Sequence, residues 1–339
     1  MPPAGRLAPL VFSAAIAGPA TAQEPPHRLP GVETARVVLE VRVTDSRGRP
    51  LPGLTPASFR LEVDGRSATV ESVVWVAESP SVARVPADPS APRQQLSPGR
   101  LIVLLFQKDF AGSRLRGLIR GLGQAKELLA PLSARDRVAV LTYDSHLRLH
   151  LDFTADLAEV ARVLDESVLL RWPGPIAPSE DPSLAAHLDR EEAREAASPE
   201  QALLALGRAL LPIPGAKTVL LFGYGLGSLR GGTFTLDPDY DGARVALDRA
   251  RAAVFCLDVT DADYHSLEVG LQQVAVDTGG LYFKVHDTAG AALSQVAAAL
   301  AGHYVLTFER PEGPRGEHRV RLSLAGRRGT VLTRTRSVD

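Results

Sequence analysis

Four acidic residues follow one another at a spacing that could hold a calcium ion. Asp237, Asp239 and Asp241 alternate before Gly242, and Asp248 follows after five more residues. This order matches the calcium-loop pattern, in which alternate oxygens point to one centre and the glycine allows a sharp turn. The alternative is that Asp241 caps a helix beginning near residue 243, while the other acids face solvent.

A second candidate site is a glycine-rich loop. Gly223, Gly225 and Gly227 directly follow an apolar run that ends at Phe222, and backbone amides can approach an anion at such a place. The loop lacks the spacing and the lysine of nucleotide-binding loops, so a flexible loop is the favoured interpretation. An alternative hypothesis, a hydrolase or nucleotide-binding enzyme, combines this loop with the acids that follow a later strand: Asp258, Asp261 and Asp263.

Composition excludes several classes of protein. Lys and Arg number 38 against 39 Asp and Glu, so the net charge of −1 leaves no electrostatic footprint for a nucleic-acid partner. The single cysteine, Cys256, excludes an internal disulfide framework and a cysteine-based zinc cluster. It lies in an apolar strand pattern and is predicted to be buried and inert. Because no nucleophile–base motif occurs either, we expect no enzymatic activity.

The first 22 residues have the three parts of a secretory signal peptide. Arg6 gives a basic start, residues 7–17 are mostly apolar, and residues 20–22 form a small-residue end. We therefore predict cleavage after Ala22 and a secreted or periplasmic protein. No later run reaches about 18 apolar residues, so the mature chain is predicted to lack a transmembrane segment.

The middle of the chain alternates apolar strands with amphipathic helices, which predicts a mainly parallel sheet with helices on both faces. The run from Leu101 to Phe106 is continuously apolar, as expected for a strand covered on both faces. The remaining strands are predicted at 138–142, 147–153, 218–222, 253–258 and 281–284. Residues 172–199 are predicted to form a polar insertion.

Short strands with alternating polarity lie on both sides of this region. They are predicted at 37–43, 59–63 and 68–76 before it and near 304–308, 318–324 and 330–335 after it, with a tight hairpin at Asp64-Gly65. The simplest architecture is an α/β domain inserted into a small antiparallel β-sandwich built from both chain ends. The predicted segments are a signal peptide (1–22), the first part of the β domain (33–78), a linker (79–99), the α/β domain (100–301) and the second part of the β domain (302–337).

In this order the chain resembles bacterial secreted proteins related to the von Willebrand factor A domain. The segments that carry the resemblance are 41–65, 101–106, 136–140, 153–156, 217–222, 253–258, 277–280 and 303–308. The resemblance implies a Rossmann-like, doubly wound domain. In active relatives the strand ends of this domain hold a divalent cation that binds an acidic side chain of a partner protein. The resemblance implies no catalysis.

The cation site of that family is incomplete here. The family's first strand ends in Asp-x-Ser-x-Ser, but Gln107 and Lys108 follow Phe106 in this chain. An Asp-Gly pair is expected after the fourth strand, where Tyr224 lies between Gly223 and Gly225. Lys108 would also repel a cation.

A shift of two residues recovers Asp109 and Ser113 as ligands of a Mg²⁺-type site. The favoured interpretation is a degenerate metal-ion-dependent adhesion site that recognises its partner through loop side chains. We therefore predict an exported, non-enzymatic module that binds another protein and has no assigned cofactor, with Ca²⁺ or Mg²⁺ as the open alternative. A structural envelope component is the third hypothesis.

Overall fold

The computed structural model describes residues 36–78, 93–96, 99–285 and 289–338, with the backbone alone at residues 93–96, 113, 289 and 291. The predicted signal peptide and most of the predicted linker lie outside these residues. The strands are β1 (Arg36–Thr44), β2 (Phe59–Val63), β3 (Arg66–Ala68), β4 (Val70–Ala77), β5 (Arg93–Leu96), β6 (Leu101–Gln107), β7 (Arg137–Tyr143), β8 (Leu147–Thr154), β9 (Lys217–Gly223), β10 (Ser228–Arg230), β11 (Thr233–Thr235), β12 (Ala252–Asp258), β13 (Tyr282–Lys284), β14 (Gly302–Glu309), β15 (Glu317–Leu324), β16 (Thr330–Leu332) and β17 (Arg336–Val338). The helices are α1 (Gly112–Leu129), α2 (Leu157–Glu166), α3 (Arg190–Glu195), α4 (Pro199–Leu210), α5 (Tyr240–Arg249), α6 (Glu268–Thr278) and α7 (Ala289–Ala299), and a 3₁₀ turn covers Pro56–Ser58.

A six-stranded sheet forms the centre of the α/β region in the order β13-β12-β9-β6-β7-β8. All neighbours are parallel except β7 and β8. When these six strands are renumbered 1 to 6 along the chain and read from β8 to β13, their order is 3-2-1-4-5-6, which is the doubly wound order. The predicted fold class is therefore confirmed.

Helices cover both faces of this sheet, which explains its apolar strands. On one face α4, α5 and α6 pack Leu206, Leu247 and Leu271 against the inward side chains of β9 and β12. On the other face α1, α2 and α7 supply a second core that contains Leu118 and Val160. Each helix buries one apolar stripe, as amphipathic helices do.

The antiparallel region is made from both chain ends, as predicted. One sheet has the order β16-β1-β14-β4-β5 and the other has the order β17-β15-β2-β3. Their shared core contains Trp75 and Tyr304, whose ring centroids lie 4.7 Å apart, and Phe59, which packs edge-on against Tyr304. Pairing of β1 with β14 joins residues about 270 positions apart, so neither chain end can form this unit alone.

Two local predictions need revision. The strand predicted at 68–76 is divided into β3 and β4, which belong to different sheets, because the chain passes there from one sheet to the other. The segment predicted as a linker contains β5, which pairs in parallel with β4. Helix α2 begins after Asp156, whose carboxylate accepts hydrogen bonds from the backbone N–H groups of Ala158 and Glu159 and so caps the helix.

The hairpin at Asp64-Gly65 agrees with its prediction, because both residues have positive φ, 50° and 78°. Within the described residues, the structure contains no helix that is long and apolar enough to cross a membrane.

Candidate functional site

The carboxyl ends of β6 and β9 mark the point where the strand order of the sheet reverses. These two strands are neighbours, and ligands of open α/β sheets bind in the crevice beyond such a pair. Gln107 ends β6 and Gly223 ends β9, so the structure brings together the two loops that the sequence singled out.

The Gln107 side chain joins the two loops inside the protein. Its amide Nε2 donates to the carbonyl of Gly225 at 2.9 Å, and its Oε1 accepts from the backbone N–H groups of Tyr224 and Gly225 at 3.0 and 3.3 Å. Only 3% of Gln107 is exposed. A Cβ atom on Gly223 would lie 2.8 Å from Oε1, so glycine leaves room for this amide. A neutral side chain with satisfied hydrogen bonds stands where the family pattern expects a carboxylate.

Lys108 begins a chain of stacked and paired side chains. Its Nζ lies 3.7 Å from a carboxylate oxygen of Asp144 and 5.6 Å from the ring centre of Phe110. Asp144 also pairs with Arg148, whose guanidinium lies 3.9 Å from the ring centre of Trp172. Burial lowers the pKa of Lys108, although Asp144 opposes this effect. The insertion that carries Trp172 is thus connected to the end of β6.

Asp109 is occupied by protein partners. One carboxylate oxygen accepts from the backbone N–H of Ala111 at 2.8 Å, and the other pairs with Arg114. Burial opposes ionisation, but these hydrogen bonds outweigh it and hold the pKa of Asp109 below its ordinary value. The Arg114 guanidinium stacks 4.2 Å from the ring centre of Tyr224. The side chain of Ser113 lies outside the described part of the structure.

These residues do not fit a Mg²⁺ ion. A hard cation needs several free oxygen ligands, whereas Gln107 uses its oxygen on backbone amides and Asp109 is paired with Arg114. Lys108 adds a positive charge beside the same loop. The arrangement instead presents cations and aromatic rings at the surface. We call the surface formed by Phe110, Arg114, Arg148, Trp172 and Tyr224 the strand-end face.

The acids of the predicted calcium loop do not converge. Asp241 is exposed within the first turn of α5, and Asp248 lies near the end of the same helix, where it pairs with Arg334 at 2.9 Å. Asp239 accepts from Gln201, and Asp237 accepts from the backbone N–H of Asp239. Helix α5 starts at Tyr240 inside the motif and separates its last two acids along the helix axis, so the motif cannot close around one ion.

The glycine-rich loop does not offer free amides to a phosphate. Gln107 accepts from Tyr224 and Gly225, and the N–H of Gly227 donates to the buried Glu200 at 2.7 Å. The hairpin of β10 and β11 follows this loop, in place of the helix that phosphate cradles need. Cys256 is fully buried, and burial raises the pKa of its thiol, as expected for an inert side chain.

Sequence reasoning named Asp258 as a candidate acid but missed the polar cluster that surrounds it. Asp258 ends β12 and accepts from Tyr282 at 2.7 Å, and its Oδ2 lies 2.8 Å from Nε2 of His265. Glu268 lies close to both and pairs with Lys284 at 2.6 Å. The sequence signal that could have found the cluster is the spacing of His265 and Glu268, which lie three residues apart in the segment that follows a strand-ending acid. Because the Lys284 ammonium already pairs with Glu268, this carboxylate is not free to bind a cation. We therefore interpret the cluster as a structural hydrogen-bond network.

A groove of about 380 Å³ lies between the strand-end face and this cluster. We call it the strand-end groove, and its walls include Arg114, Tyr224, Leu229, Asp261 and His265. Asp261 is paired with Arg116 and Arg120 of α1. The groove gives the face a concave region beside its exposed aromatic rings.

No protein-family model matches the chain, and no curated protein matches it significantly. Similar solved structures include a von Willebrand factor type A protein from Catenulispora acidiphila, with 12% identity, a TM-score of 0.41 and coverage of 90% of this chain and 74% of that one. Proximal thread matrix protein 1 from the mussel byssus has 11% identity, a TM-score of 0.42 and coverage of 71% and 50%. BatB from Bacteroides thetaiotaomicron has 15% identity, a TM-score of 0.37 and coverage of 59% and 98%. At these identities and TM-scores the likeness identifies no function for this chain.

Proposed function

We propose that this chain is an exported, non-enzymatic module that binds another protein through the strand-end face without a bound metal ion. The observation that carries the proposal is the composition of that face. Trp172 is 76% exposed and Phe110 is 60% exposed, and each packs beside a cation that is held by Asp144. Trp, Tyr and Arg are the residues that dominate the binding energy of protein interfaces.

The face is also ordered before any partner binds. Arg148 is held between Asp144 and Trp172, and Arg114 is held between Asp109 and Tyr224. Side chains that are fixed in advance lose less conformational entropy on binding. Both arginines keep further N–H groups that can donate to carbonyl or carboxylate oxygens of a partner.

Export is supported by the sequence of the leader, whose basic start, apolar run and small-residue end match a signal peptide. A recognition surface without a metal suits such a protein, because its function would not depend on the free Mg²⁺ or Ca²⁺ around it.

The test is a binding experiment with the chain after removal of the leader. The immobilised protein captures partners from an envelope extract of its own organism, and the affinity of each purified partner is then measured. We expect Trp172→Ala and Arg114→Ala to weaken binding at least about tenfold, as hot-spot truncations do. EDTA should leave the affinity unchanged.

The matched control is Leu170→Ala, since Leu170 is 84% exposed and only two positions from Trp172, outside the strand-end face. It should bind like the native chain. The proposal is wrong if no specific partner is captured, if both face variants keep native affinity, or if EDTA abolishes binding.

The hydrolase alternative retains one supporting observation: His265 lines the strand-end groove and its Nε2 contacts the buried Asp258. A hydrolase of this kind needs a hydroxyl or thiol nucleophile on the other ring nitrogen of the histidine. Within the described residues, no Ser, Thr or Cys side chain is hydrogen-bonded to that ring. The geometry therefore favours the binding module.

A further inference from the structure

A second cavity lies at the opposite end of the parallel sheet, between its amino-terminal strand ends and the β-sandwich. Its volume is about 470 Å³, within the range of small-molecule sites. Leu101 and Thr218 line it from the α/β region, and Arg42, Glu78 and His303 line it from the antiparallel sheets. Cavities between two such layers are common positions for ligand sites.

Arg42 is the main unpaired cation in this cavity. Only 7% of the residue is exposed, yet its Nη2 donates to the hydroxyl of Thr218 at 3.3 Å and its guanidinium lies 5.4 Å from the ring centre of Phe255. No carboxylate among the described residues forms a salt bridge with it. Burial lowers its pKa, although Glu78 opposes this effect. A buried guanidinium with unused N–H groups is costly unless an anion meets it.

Glu78 supplies an unpaired acceptor in the same wall. The residue is 9% exposed, and its Oε1 lies 3.1 Å from Nδ1 of His303. Its Oε2 is buried and accepts no hydrogen bond from any residue that the structure describes. Buried carboxylate oxygens are nearly always hydrogen-bonded, so this atom marks the place of a missing donor.

The other charges of the wall are already balanced or exposed. Arg100 forms hydrogen bonds to both carboxylate oxygens of Asp136, and Arg251 pairs with Glu40. Arg137 also lines the cavity, where it is half-buried, donates to the carbonyl of Ala134 and adds positive charge. The wall therefore leaves one buried cation and one buried acceptor for a ligand.

We propose that this cavity binds a small organic acid that carries a hydroxyl or amino group next to its carboxylate. The carboxylate pairs with Arg42, and the neighbouring donor binds Oε2 of Glu78. The two ligand classes, 2-hydroxy acids and 2-amino acids, share this chemistry and are separated by experiment. The site is independent of the strand-end face.

The test measures ligand binding to the chain without its leader by saturation-transfer NMR and isothermal titration. The probes are lactate, malate, glycine and glutamate, with acetate and propionate as acids that lack the second group. At least one hydroxy or amino acid should bind at least about tenfold more tightly than the matched simple acid, as expected when a buried acceptor stays unpaired. Which class binds then identifies the donor.

Two variants separate the roles of the two residues. Arg42→Gln should weaken binding of the preferred probe about 10- to 100-fold, as expected for loss of a charged hydrogen bond. Glu78→Leu, which removes both acceptor oxygens at a similar volume, should remove the preference over the simple acid. Because Arg42 is buried, Arg137→Gln at the half-buried Arg137 of the same wall serves as a second variant and should weaken binding severalfold.

Arg321→Gln is the control, because Arg321 is exposed on β15 and pairs with Glu62 away from the cavity. The proposal is overturned if no probe gives a saturable signal, which would indicate a cavity filled by water alone. It is also overturned if folded Arg42→Gln and Arg137→Gln bind the preferred probe as the native chain does.

Discussion

Replacing Gln107 by alanine removes the side chain that joins the two central loops of the candidate site. The substitution deletes three hydrogen bonds, of 2.9, 3.0 and 3.3 Å, and leaves the Gly225 carbonyl and two backbone N–H groups without partners. At about 0.5–1.5 kcal/mol for each of the three bonds, the expected loss of unfolding free energy is about 1.5–4.5 kcal/mol. The sequence of the loop that contains Tyr224 and Gly225 is unchanged, so the substitution acts by releasing this loop from the end of β6.

The variant Gln107→Glu sharpens this prediction, because it keeps the shape and replaces the donor by an oxygen. An ionised carboxylate would face the Gly225 carbonyl at about the distance of the present 2.9 Å hydrogen bond, which repels it and raises its pKa in the folded state. A protonated carboxyl can donate to that carbonyl. The variant should therefore approach native stability below about pH 4.3, the unfolded pKa, and lose stability as pH rises through its folded pKa.

The assay is urea unfolding of the native chain and both variants at several pH values, followed by fluorescence and circular dichroism. Gln273→Ala is the control, since Gln273 makes a single exposed hydrogen bond to Asp277 on the same helix. It should cost less than about 0.5 kcal/mol. The reasoning is refuted if Gln107→Ala costs no more than this control, or if the deficit of Gln107→Glu does not depend on pH.

Three further predictions concern buried groups. Burial, together with the nearby cations of Lys108 and Arg148, lowers the pKa of His150 from 6.5 to about 4. The folded chain should therefore lose about 3 kcal/mol of stability as pH falls from about 6.5 to about 4. His150→Gln should remove this part of the acid sensitivity in unfolding curves. The Cys256 thiol should resist Ellman's reagent in the folded chain and react fully in guanidinium chloride; rapid reaction of the native protein would contradict its burial. Asp152 accepts hydrogen bonds from Ser183 and from the backbone N–H of Leu184, so Asp152→Ala should raise hydrogen exchange in the insertion that carries Trp172, with little change in the central strands.

Much of the fold could be predicted from local pattern. The apolar run of β6 is explained by helices on both sides of the sheet, and the alternation in β2 is explained by its place on one face of a sandwich. The boundary between β3 and β4 could not be predicted in this way. Nothing local distinguishes a continuous strand from one that passes between two sheets.

The candidate site was also predicted only in part. The replacement of carboxylates by Gln107 and Tyr224 was visible in the sequence, and so was their meeting at neighbouring strand ends. The stacking of Arg148 on Trp172 depends on how the insertion folds back over β8, which no periodicity records. The acidic motif beginning at Asp237 failed because spacing alone does not show where helix α5 begins.

The central claim is that the strand-end face recognises its partner without a cation, and isothermal titration of the metal-free chain with Mg²⁺ and Ca²⁺ tests it most directly. The structure predicts no stoichiometric binding of either ion, because Gln107 and Asp109 already have protein partners. Stoichiometric Mg²⁺ binding that Asp109→Ala abolishes would contradict this claim.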